Sequence, residues 1–278
     1  MSNFNCVAVL PARMGSSRFP GKPMAKILGM PMIEHVYRRV KMASSLSEVY
    51  VATCDQEIYD HITGIGGKAV YTSDSHERCS DRCAEAMLKI EDETNQRIDI
   101  LVMVQGDEPM VHPEMIDESI QPMLDNPEIY ITNLLGKINT LEEFEDPNEV
   151  KVVVDNSNRA LYFSREPIPS RKKGSLSVPM LKQVCIIPFA RDFLLEYNSM
   201  TPTSLEIIES VDMMRILENG LQVQMVPTRH TTKAVDTIQD LEVVEKEMAL
   251  DPLCETYLKR TYDSRNCYTS PSFCLTKF

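Results

Sequence analysis

The chain has 278 residues, of which 41 are acidic and 29 are Lys or Arg, so its formal net charge is −12 at pH 7. Hydrophobic residues make up 43% and charged residues 25%, a balance typical of soluble globular proteins. The acidic charge argues against a nucleic-acid-binding surface. No apolar run approaches the roughly 20 residues that a membrane helix needs, and the N-terminus shows no signal-peptide pattern. We therefore expect a cytoplasmic protein that binds no nucleic acid and does not insert into a membrane.

The first 120 residues predict alternating strands and helices. Apolar residues recur at helical spacing in the segment after Pro31. The strands are mostly apolar, which is typical of parallel strands covered on both faces. The predicted strands are 7–10, 48–53, 68–72 and 98–104, and the predicted helices are 31–40, 56–63 and 81–90. In such sheets ligands bind beyond the carboxyl ends of the strands. The segments that follow these strands are therefore the candidate site.

From about residue 146 the pattern changes. The turn at 155–158 lies between two apolar segments and predicts a hairpin, and the basic loop at 171–174 is interpreted as a solvated linker. The remaining predicted elements are strands 150–154, 159–164, 184–189 and 223–227, and helices 204–219 and 237–248. From about Asp251 to Phe278 the chain is polar and rich in turn residues, which fits either an oligomer contact or disorder.

The eight cysteines do not form a metal-binding pattern. Cys79 and Cys83 are four residues apart, with no second pair to complete a zinc site. We interpret the cysteines as reduced thiols used as small core residues, and we assign no catalytic role to any of them.

The loop after the first strand carries three cations among small residues. It runs from Pro11 to Pro23 and contains Arg13, Arg18 and Lys22. Backbone N–H groups approach phosphates only where side chains are small, and cations neutralise the phosphate charge. An ordinary surface turn is the alternative. The clustering of cations and prolines directly after a predicted buried strand favours a triphosphate site over a surface turn.

Two carboxylates are candidates for holding a metal ion. Asp107 follows the fourth predicted strand, and Asp236 precedes the last predicted helix. Carboxylate oxygens, together with phosphate oxygens, are the ligands that Mg²⁺ prefers. A turn or helix cap is the alternative for both, and for Asp236 the residues alone favour the cap.

An ordered series of motifs resembles the CMP-Kdo synthetases, the cytidylyltransferases that activate 3-deoxy-manno-octulosonate (Kdo). The resemblance covers roughly residues 5 to 250. It is carried by Leu10-Pro11-Ala12-Arg13, Phe19-Pro20-Gly21-Lys22-Pro23, Val104-Gln105-Gly106-Asp107-Glu108-Pro109, Asp146-Pro147-Asn148-Glu149-Val150-Lys151, Arg215-Ile216-Leu217-Glu218-Asn219-Gly220 and Val235-Asp236-Thr237.

This resemblance implies both a fold and a reaction. The fold is an α/β domain at 1–250 of the nucleotide-diphospho-sugar transferase type, which is Rossmann-like, with a mostly parallel sheet and helices on both faces. A smaller excursion at about 140–200 would form a homodimer, and 251–278 would be a tail extension. The reaction is Mg²⁺-dependent transfer of CMP from CTP to Kdo or a modified, Kdo-like sugar acid, with release of pyrophosphate, as in lipopolysaccharide biosynthesis.

The resemblance also implies roles for individual residues. The catalytic residues would be Arg13, Lys22, Asp107 and Asp236, of which the two aspartates would hold Mg²⁺. CTP would be bound by Pro11, Ala12, Arg13, Ser16, Ser17, Lys22, Ser80, Arg82 and Gln105. The sugar acid would be contacted by Arg18, Arg78, Gln105, Arg165, Gln183, Ile187, Glu206 and Glu209.

The chain departs from the family's pattern on the sugar side. The typical His-x-Ser-Gly-Thr-Asp/Glu-Arg is here His76-Glu77-Arg78-Cys79-Ser80-Asp81-Arg82, and the His and Tyr of the His-x-Gly-Ile-Tyr-Gly strand are Gln183 and Ile187. A site built to hydrogen-bond a hydroxyl rejects substrates that lack it, so these changes suggest a different acceptor. Arg78 either reads an additional carboxylate or phosphate or is a solvated residue at a helix start.

Three other functions remain open from the sequence. The chain could be a cytidylyltransferase for another acid, such as a different ulosonate or a phosphonate. It could be a non-catalytic nucleotide-binding relative, although such proteins are expected to lose residues such as Lys22, Asp107 and Asp236. It could be a sugar-1-phosphate nucleotidylyltransferase, although the loops of those enzymes are usually richer in glycine.

Overall fold

The computed structural model describes residues 4–15, 18–174 and 177–258. Ser16, Ser17 and most of the predicted tail lie outside the described residues. The strands are β1 (Cys6–Ala12), β2 (Lys26–Ile27), β3 (Met30–Pro31), β4 (Glu48–Thr53), β5 (Lys68–Tyr71), β6 (Ile100–Val104), β7 (Thr132–Lys137), β8 (Lys151–Val154), β9 (Ala160–Ser164), β10 (Leu181–Val184), β11 (Ile186–Ala190) and β12 (Gln224–Pro227). The helices are α1 (Met32–Val40), α2 (Gln56–Gly64), α3 (Cys79–Thr94), α4 (Pro113–Asp125), α5 (Leu141–Glu145), α6 (Arg191–Ser199), α7 (Ser204–Glu209), α8 (Met213–Glu218) and α9 (Ile238–Met248).

The first sheet contains the predicted parallel strands. Its order is β11-β6-β1-β4-β5, in which β1 pairs parallel with β4 and β6, and β4 pairs parallel with β5. Only β11 runs antiparallel, along the outer edge of β6. Because β1 and β6 lie next to each other and point the same way, their carboxyl ends bring the loop after Ala12 close to the segment after Val104.

A second sheet extends the fold and is mostly antiparallel. Its order is β12-β7-β10-β8-β9. Strands β8 and β9 form the predicted hairpin, and a single bridge between Ile131 and Phe189 links this sheet to β11. The predicted excursion at about 140–200 therefore contributes β8, β9 and β10 to this sheet.

Helices cover both faces of the first sheet, as predicted. Val7 and Val9 of β1 belong to one buried cluster, which includes residues of α3 and α6. Ala8 and Leu10 belong to another, which includes residues of α1, α2 and α4. This alternation is expected because successive side chains of a strand point to opposite faces. The α/β fold class inferred from the sequence is confirmed.

A third buried cluster holds the end of the described chain. Residues 252–258 are helical, and Cys254 and Tyr257 pack with β2, β3 and α9. The Tyr257 hydroxyl lies 2.8 Å from His35 Nδ1, and His35 Nε2 donates to the Ile27 carbonyl at 2.8 Å. The packed part of the chain thus continues through residue 258, beyond the predicted domain end at 250.

Two predicted elements are each divided in the structure. The predicted strand 184–189 is the end of β10 and most of β11, with Cys185 between them. The predicted helix 204–219 is α7 and α8, because Ser210 adopts a left-handed conformation (φ 52°) that ends α7. No helix in the described part of the chain is long and apolar enough to cross a membrane.

Candidate active site

A cavity of about 340 Å³ lies at the carboxyl ends of β1 and β6. Seven of the predicted site residues line it, and five other residues complete its wall. The predicted ones are Pro11, Ala12, Arg13, Arg18, Lys22, Gln105 and Asp107, and the others are Gly15, Pro23, Met32, Cys79 and Gly106. A larger cavity, of about 430 Å³, lies beside α1 and α2, and its polar lining consists of two glutamates, Glu34 and Glu57, with Lys26 and His61. The smaller cavity therefore has the chemistry of a triphosphate site.

The loop after β1 folds back on itself through backbone contacts. Gly21 has a φ of 74°, which favours glycine, and its N–H donates to the Met14 carbonyl at 3.0 Å. The Met14 N–H in turn donates to Asp55 Oδ2 at 2.8 Å. Asp55 is the N-cap residue of α2, but its side chain makes no capping bond and instead fixes this loop. The fold-back places Lys22 beside the end of β6.

Lys22 lies between the two predicted metal-binding carboxylates. Its Nζ is 2.6 Å from Asp107 Oδ2 and 3.4 Å from Asp236 Oδ1. Burial by itself lowers the pKa of Lys22, but Asp107 and then Asp236 raise it above its ordinary value, so the ammonium is charged at neutral pH. Arg18 Nη2 is 2.9 Å from Asp236 Oδ1, while Arg18 Nη1 donates to Asn148. Asp107 and Asp236 lie 85 and 214 positions from Lys22 in the sequence, and the fold brings both of them to its ammonium.

The side chain of Asp236 is not used as a helix cap. The N-cap of α9 is Thr237, which forms a capping box with Asp240. The Val235 N–H donates to the Asp107 carbonyl at 2.9 Å, and the Thr232 hydroxyl donates to Glu108 Oε2 at 2.7 Å. These bonds fasten the segment before α9 to the segment after β6, so that the Asp236 carboxylate faces Lys22.

The two aspartates fit a divalent cation. Asp107 Oδ1 is buried and has no hydrogen-bond partner among the described residues, and an unpaired buried carboxylate oxygen is costly. Asp236 Oδ1 lies near the same ammonium as Asp107 Oδ2. The Asp107 and Asp236 carboxylates both contact the Lys22 ammonium, and Asp107 Oδ1 is available to a further partner. Carboxylate oxygens of this kind are suited to a hard divalent ion.

Gly106 allows the segment after β6 to pack closely under the loop. A Cβ at this position would be 3.0 Å from Ile33 Cδ1 and 3.2 Å from the Pro11 carbonyl oxygen. The neighbouring Gln105 N–H donates to the Cys185 carbonyl at 3.2 Å. Sequence reasoning singled out Gln105 and Asp107 but did not assign this packing role to the glycine between them.

Arg13 connects the loop to the segment before α3. Its Nη1 donates to the His76 carbonyl at 3.3 Å. Ser80 and Arg82, which we expect to bind the nucleotide, are 1% and 3% exposed. Ser80 Oγ and Arg82 Nη2 have no hydrogen-bond partner within the described chain. Neither residue lines the cavity, although the neighbouring Cys79 does. Their contact with the nucleotide therefore stays a prediction.

Arg78 belongs to a cluster of four charges, which we define as Arg78, Glu206, Asp212 and Arg215. Arg78 pairs with both Glu206 and Asp212, and Arg215 donates to the two Glu206 oxygens at 2.8 and 2.7 Å. Burial by itself raises the pKa of Glu206, but the Arg215 hydrogen bonds bring it below its ordinary value. Arg78 does stand at a helix start, as the N-cap residue of α3, but its guanidinium is held by two carboxylates and is not solvated alone.

The other predicted sugar-side residues make contacts within the protein. The Arg165 guanidinium donates to the carbonyls of Pro147, Glu209 and Ser210, and the Glu209 carboxylate accepts the Arg165 N–H at 2.9 Å. Gln183 donates to Asn133 Oδ1 at 2.6 Å. Ile187 is 3% exposed within the core. None of these four, which are Arg165, Glu209, Gln183 and Ile187, lines the 340 Å³ cavity, so their contact with an acceptor stays a prediction.

The parallel sheet presents a cationic loop and one carboxylate at adjacent strand ends, and the segment before α9 adds a second carboxylate. This arrangement is typical of a nucleotide-binding α/β enzyme. The family described as cytidylyltransferase matches residues 7–228. A 3-deoxy-manno-octulosonate cytidylyltransferase of Geobacter sulfurreducens is 44% identical over 253 residues, which cover 87% of this chain and 99% of that protein. The protein of the same name from Trichlorobacter lovleyi is 42% identical and covers 87% and 98% of the two chains. The chain belongs to this cytidylyltransferase family and is a CTP-dependent nucleotidyltransferase.

Solved structures agree with this assignment. A CMP:2-keto-3-deoxy-manno-octonic acid synthetase complexed with CTP is 38% identical, with a TM-score of 0.81 over 88% of this chain and 99% of that one. A 4-diphosphocytidyl-2C-methyl-D-erythritol synthase from Anaerococcus prevotii is 12% identical, with a TM-score of 0.58. The second likeness shows the fold alone.

Proposed function

We propose that this enzyme transfers CMP from CTP to Kdo or a Kdo-like sugar acid and releases pyrophosphate, with Mg²⁺ held by Asp107 and Asp236. The observation that carries the proposal is the convergence of Lys22, Asp107 and Asp236 beside the cavity at the ends of β1 and β6. The acceptor is supported by the names of the relatives that match over nearly their whole length.

The reaction is a substitution at the α-phosphorus of CTP. The anomeric hydroxyl oxygen of the acid forms a bond to this phosphorus, and the bond from the phosphorus to the oxygen that bridges to the β-phosphate breaks. Pyrophosphate leaves with that oxygen, and the hydroxyl proton passes to solvent. Charge spreads over the phosphoryl oxygens, so catalysis consists mainly of positioning and charge stabilisation. No covalent intermediate with the enzyme is needed.

The chain's own cations would stabilise that charge. Lys22 is charged and is held at the cavity by its two carboxylates, so its ammonium is in position to meet the triphosphate. Arg13 lines the same cavity and is held by the His76 carbonyl. When bound, Mg²⁺ would neutralise phosphate charge, and a metal-bound hydroxyl has a lowered pKa. Asp107 and Asp236 would hold the ion, and the number of ions is left open.

A second candidate function is cytidylyl transfer to a different acid, such as another ulosonate or a phosphonate. Arg78, Gln183 and Ile187 differ from the typical family pattern, and Arg78 adds a charge to the sugar side. The substitutions at these positions would alter which acid is accepted, whereas the cavity that would hold CTP keeps its predicted residues. A non-catalytic role is disfavoured because Lys22, Asp107 and Asp236 are all present and in contact.

We further propose that the enzyme is a cytoplasmic homodimer formed through the 140–200 excursion. Strand β9 lies at an edge of the second sheet, and its Leu161 is 60% exposed. Helix α7 follows the excursion and contacts β9 through Glu209, and its Ile207 and Ile208 are 65% and 74% exposed. Exposed apolar groups of this kind are typical of subunit contacts. Light scattering should give the mass of two chains, and the mass of one chain at micromolar concentration would contradict the dimer.

The test of the proposed function is pyrophosphate release from CTP and Mg²⁺ with a panel of acids. The panel contains Kdo, an amino-substituted Kdo, a sialic-type acid and a simple phosphonate. Release with Kdo supports the first proposal, and release with another acid alone supports the second. No release with any acid, although CTP binds, would contradict both proposed reactions and favour the hypothesis of a non-catalytic nucleotide-binding protein.

A further inference from the structure

The start of α4 and the segment before α9 carry three side chains of the kinds that bind metal ions. His112 is the N-cap residue of α4, and Glu114 lies in the first turn of that helix. His230 belongs to the segment between β12 and α9. One ligand atom from each of these residues lies within 4.8 Å of those of the other two. Two imidazole rings and a carboxylate from distant parts of the chain therefore meet at one place.

Contacts with α4 fix the position of His230. The Thr228 hydroxyl donates to Glu118 Oε2 at 2.9 Å and accepts the His230 N–H at 3.2 Å. The His230 ring stacks on the His112 ring, with centroids 4.1 Å apart and planes 9° apart. His230 Nε2 is 3.0 Å from Glu114 Oε2. The backbone that carries these ligands is thus already in place, which lowers the entropic cost of binding an ion.

The spacing of the ligand atoms is close to that of a tetrahedral metal site. Zn–N and Zn–O bonds are about 2.0–2.2 Å long, so two ligands of one ion lie about 3.4 Å apart. The ring lone pairs lie in the ring plane, so one of the two stacked rings has to turn before both bind the same ion. The His112 ring is held by the stack and by the Glu114 N–H, which donates to its Nδ1 at 3.3 Å. Because that hydrogen bond is long and therefore weak, turning the ring costs little.

The three ligands favour a transition-metal ion over Mg²⁺. Imidazole nitrogens suit Zn²⁺ and its neighbours in the first transition row, whereas Mg²⁺ prefers oxygen ligands. Burial, together with the charge of His230, lowers the pKa of His112, so its ring is neutral at pH 7, which is the form that binds metals. The side chains of His230 and Glu114 are 20% and 65% exposed. An ion can therefore enter from solvent, and a water molecule can fill the fourth position of the site.

We propose that His112, Glu114 and His230 bind one transition-metal ion of the Zn²⁺ class, which fastens the segment between β12 and α9 to the start of α4. The ion replaces the 3.0 Å contact between His230 and Glu114 with two metal–ligand bonds and neutralises the carboxylate. Because the same segment carries Asp236, the ion is a structural clip for the part of the chain that ends in a catalytic carboxylate. The site shares no residue with the proposed Mg²⁺ site, and the inference does not depend on the proposed function.

The experiment follows the ring nitrogens of the histidines by NMR in the full chain labelled with ¹⁵N-histidine. The chain has five histidines, and the variants His112→Gln and His230→Gln assign two of the five sets of ring signals. Titration of the metal-free, reduced protein with Zn²⁺ at pH 7 should move the signals of His112 and His230 and leave those of His35, His61 and His76 in place. Mg²⁺ should not move the two signals. Zn²⁺ bound at thiols or at Asp107 and Asp236 is silent in this measurement.

Two further measurements test the carboxylate and the clip. Glu114→Gln should weaken Zn²⁺ binding, read from the two ring signals, by at least about tenfold. Zn²⁺ at 100 times its Kd should raise the Tm of the wild type by about 5 °C or more and should not raise that of His230→Gln. His61→Gln is the matched control, because His61 Nε2 lies 2.8 Å from Glu34 Oε2 in a pair of the same kind. Its affinity for Zn²⁺ at the His112 and His230 signals should equal that of the wild type.

Ring signals that stay in place throughout the titration overturn the inference. A shift confined to one of the two rings also overturns it, because it indicates an adventitious ion only. Movement of both rings without a Zn²⁺-dependent rise in Tm overturns the structural clip. If a variant fails to fold, the wild-type titration still decides, because two of its five sets of ring signals must move together. No step of the experiment requires turnover, so its failure leaves the proposed function intact.

Discussion

Replacing Asp107 with Ala should separate catalysis from stability. The variant loses the 2.6 Å ion pair with Lys22, whose side chain and that of Asp107 are 13% and 20% exposed. A hydrogen bond to a charged group is worth about 1.5–3 kcal/mol. The variant also loses Asp107 Oδ1, which is buried without a partner among the described residues and costs about 1–3 kcal/mol in the wild type.

These two contributions oppose each other, and Asp236 still lies 3.4 Å from Lys22. The free energy of unfolding should therefore change by no more than about 1 kcal/mol. Turnover should fall by about 1000-fold or more, which corresponds to about 4 kcal/mol of transition-state stabilisation.

Urea unfolding without nucleotide or metal measures the first quantity, and pyrophosphate release at saturating CTP measures the second. Asp192→Ala, at an aspartate whose side chain is 72% exposed and paired with Arg97, is the control and should leave turnover unchanged. Turnover within tenfold of the wild type would refute the role of Asp107 in catalysis. A loss of stability above about 3 kcal/mol would refute the energetic reasoning.

Three further predictions concern packing, pH and the acceptor. Gly106→Ala should destabilise the fold by about 1–3 kcal/mol in urea, because its Cβ would crowd Ile33 and the Pro11 carbonyl; Gly64→Ala, with nothing within 4 Å of its Cβ, should not. Burial, with the nearby Arg39 and Arg38 charges, lowers the pKa of His35 from 6.5 to about 4. As the pH falls, the unfolded chain therefore binds a proton at this residue before the folded chain does. The contribution of His35 to the free energy of unfolding is fully present above pH 6.5 and is lost towards pH 4. Unfolding free energies at pH 7 and pH 4.5 should differ by about 2 kcal/mol more in the wild type than in His35→Gln, and equal differences would contradict this. Gln183→His combined with Ile187→Tyr should raise kcat/KM for Kdo; no gain in a folded variant would mean that these positions do not set the acceptor.

The sequence predicted that the loop after β1 and the segment after β6 lie together, because the signals for both are local. The strand that ends at Ala12 and the loop that follows it are continuous, and Asp107 directly follows β6. The convergence of their side chains follows from parallel pairing of β1 with β6. The role of Asp236 was less certain from sequence, because an aspartate directly before a helix is commonly its cap, and only the structure shows that Thr237 is the N-cap of α9.

The four-charge cluster could not be predicted from local patterns. Arg78 and Asp212 are 134 positions apart, and no spacing rule links an arginine before one helix with an aspartate before another. The break between α7 and α8 falls at Ser210, a residue with no strong tendency to end a helix. That break brings Arg215 back onto Glu206, so the cluster depends on tertiary packing.

The central claim, cytidylyl transfer to a Kdo-like acid, is tested most directly by identifying the product. The enzyme is incubated with CTP, Mg²⁺ and Kdo, and the mixture is examined by mass spectrometry together with a pyrophosphate assay. We predict a compound with the mass of the CMP ester of the acid, formed in equal amount to pyrophosphate and absent when Asp107→Ala replaces the wild type. Pyrophosphate or CMP without such an ester, or no consumption of CTP with any acid of the panel, would contradict the claim.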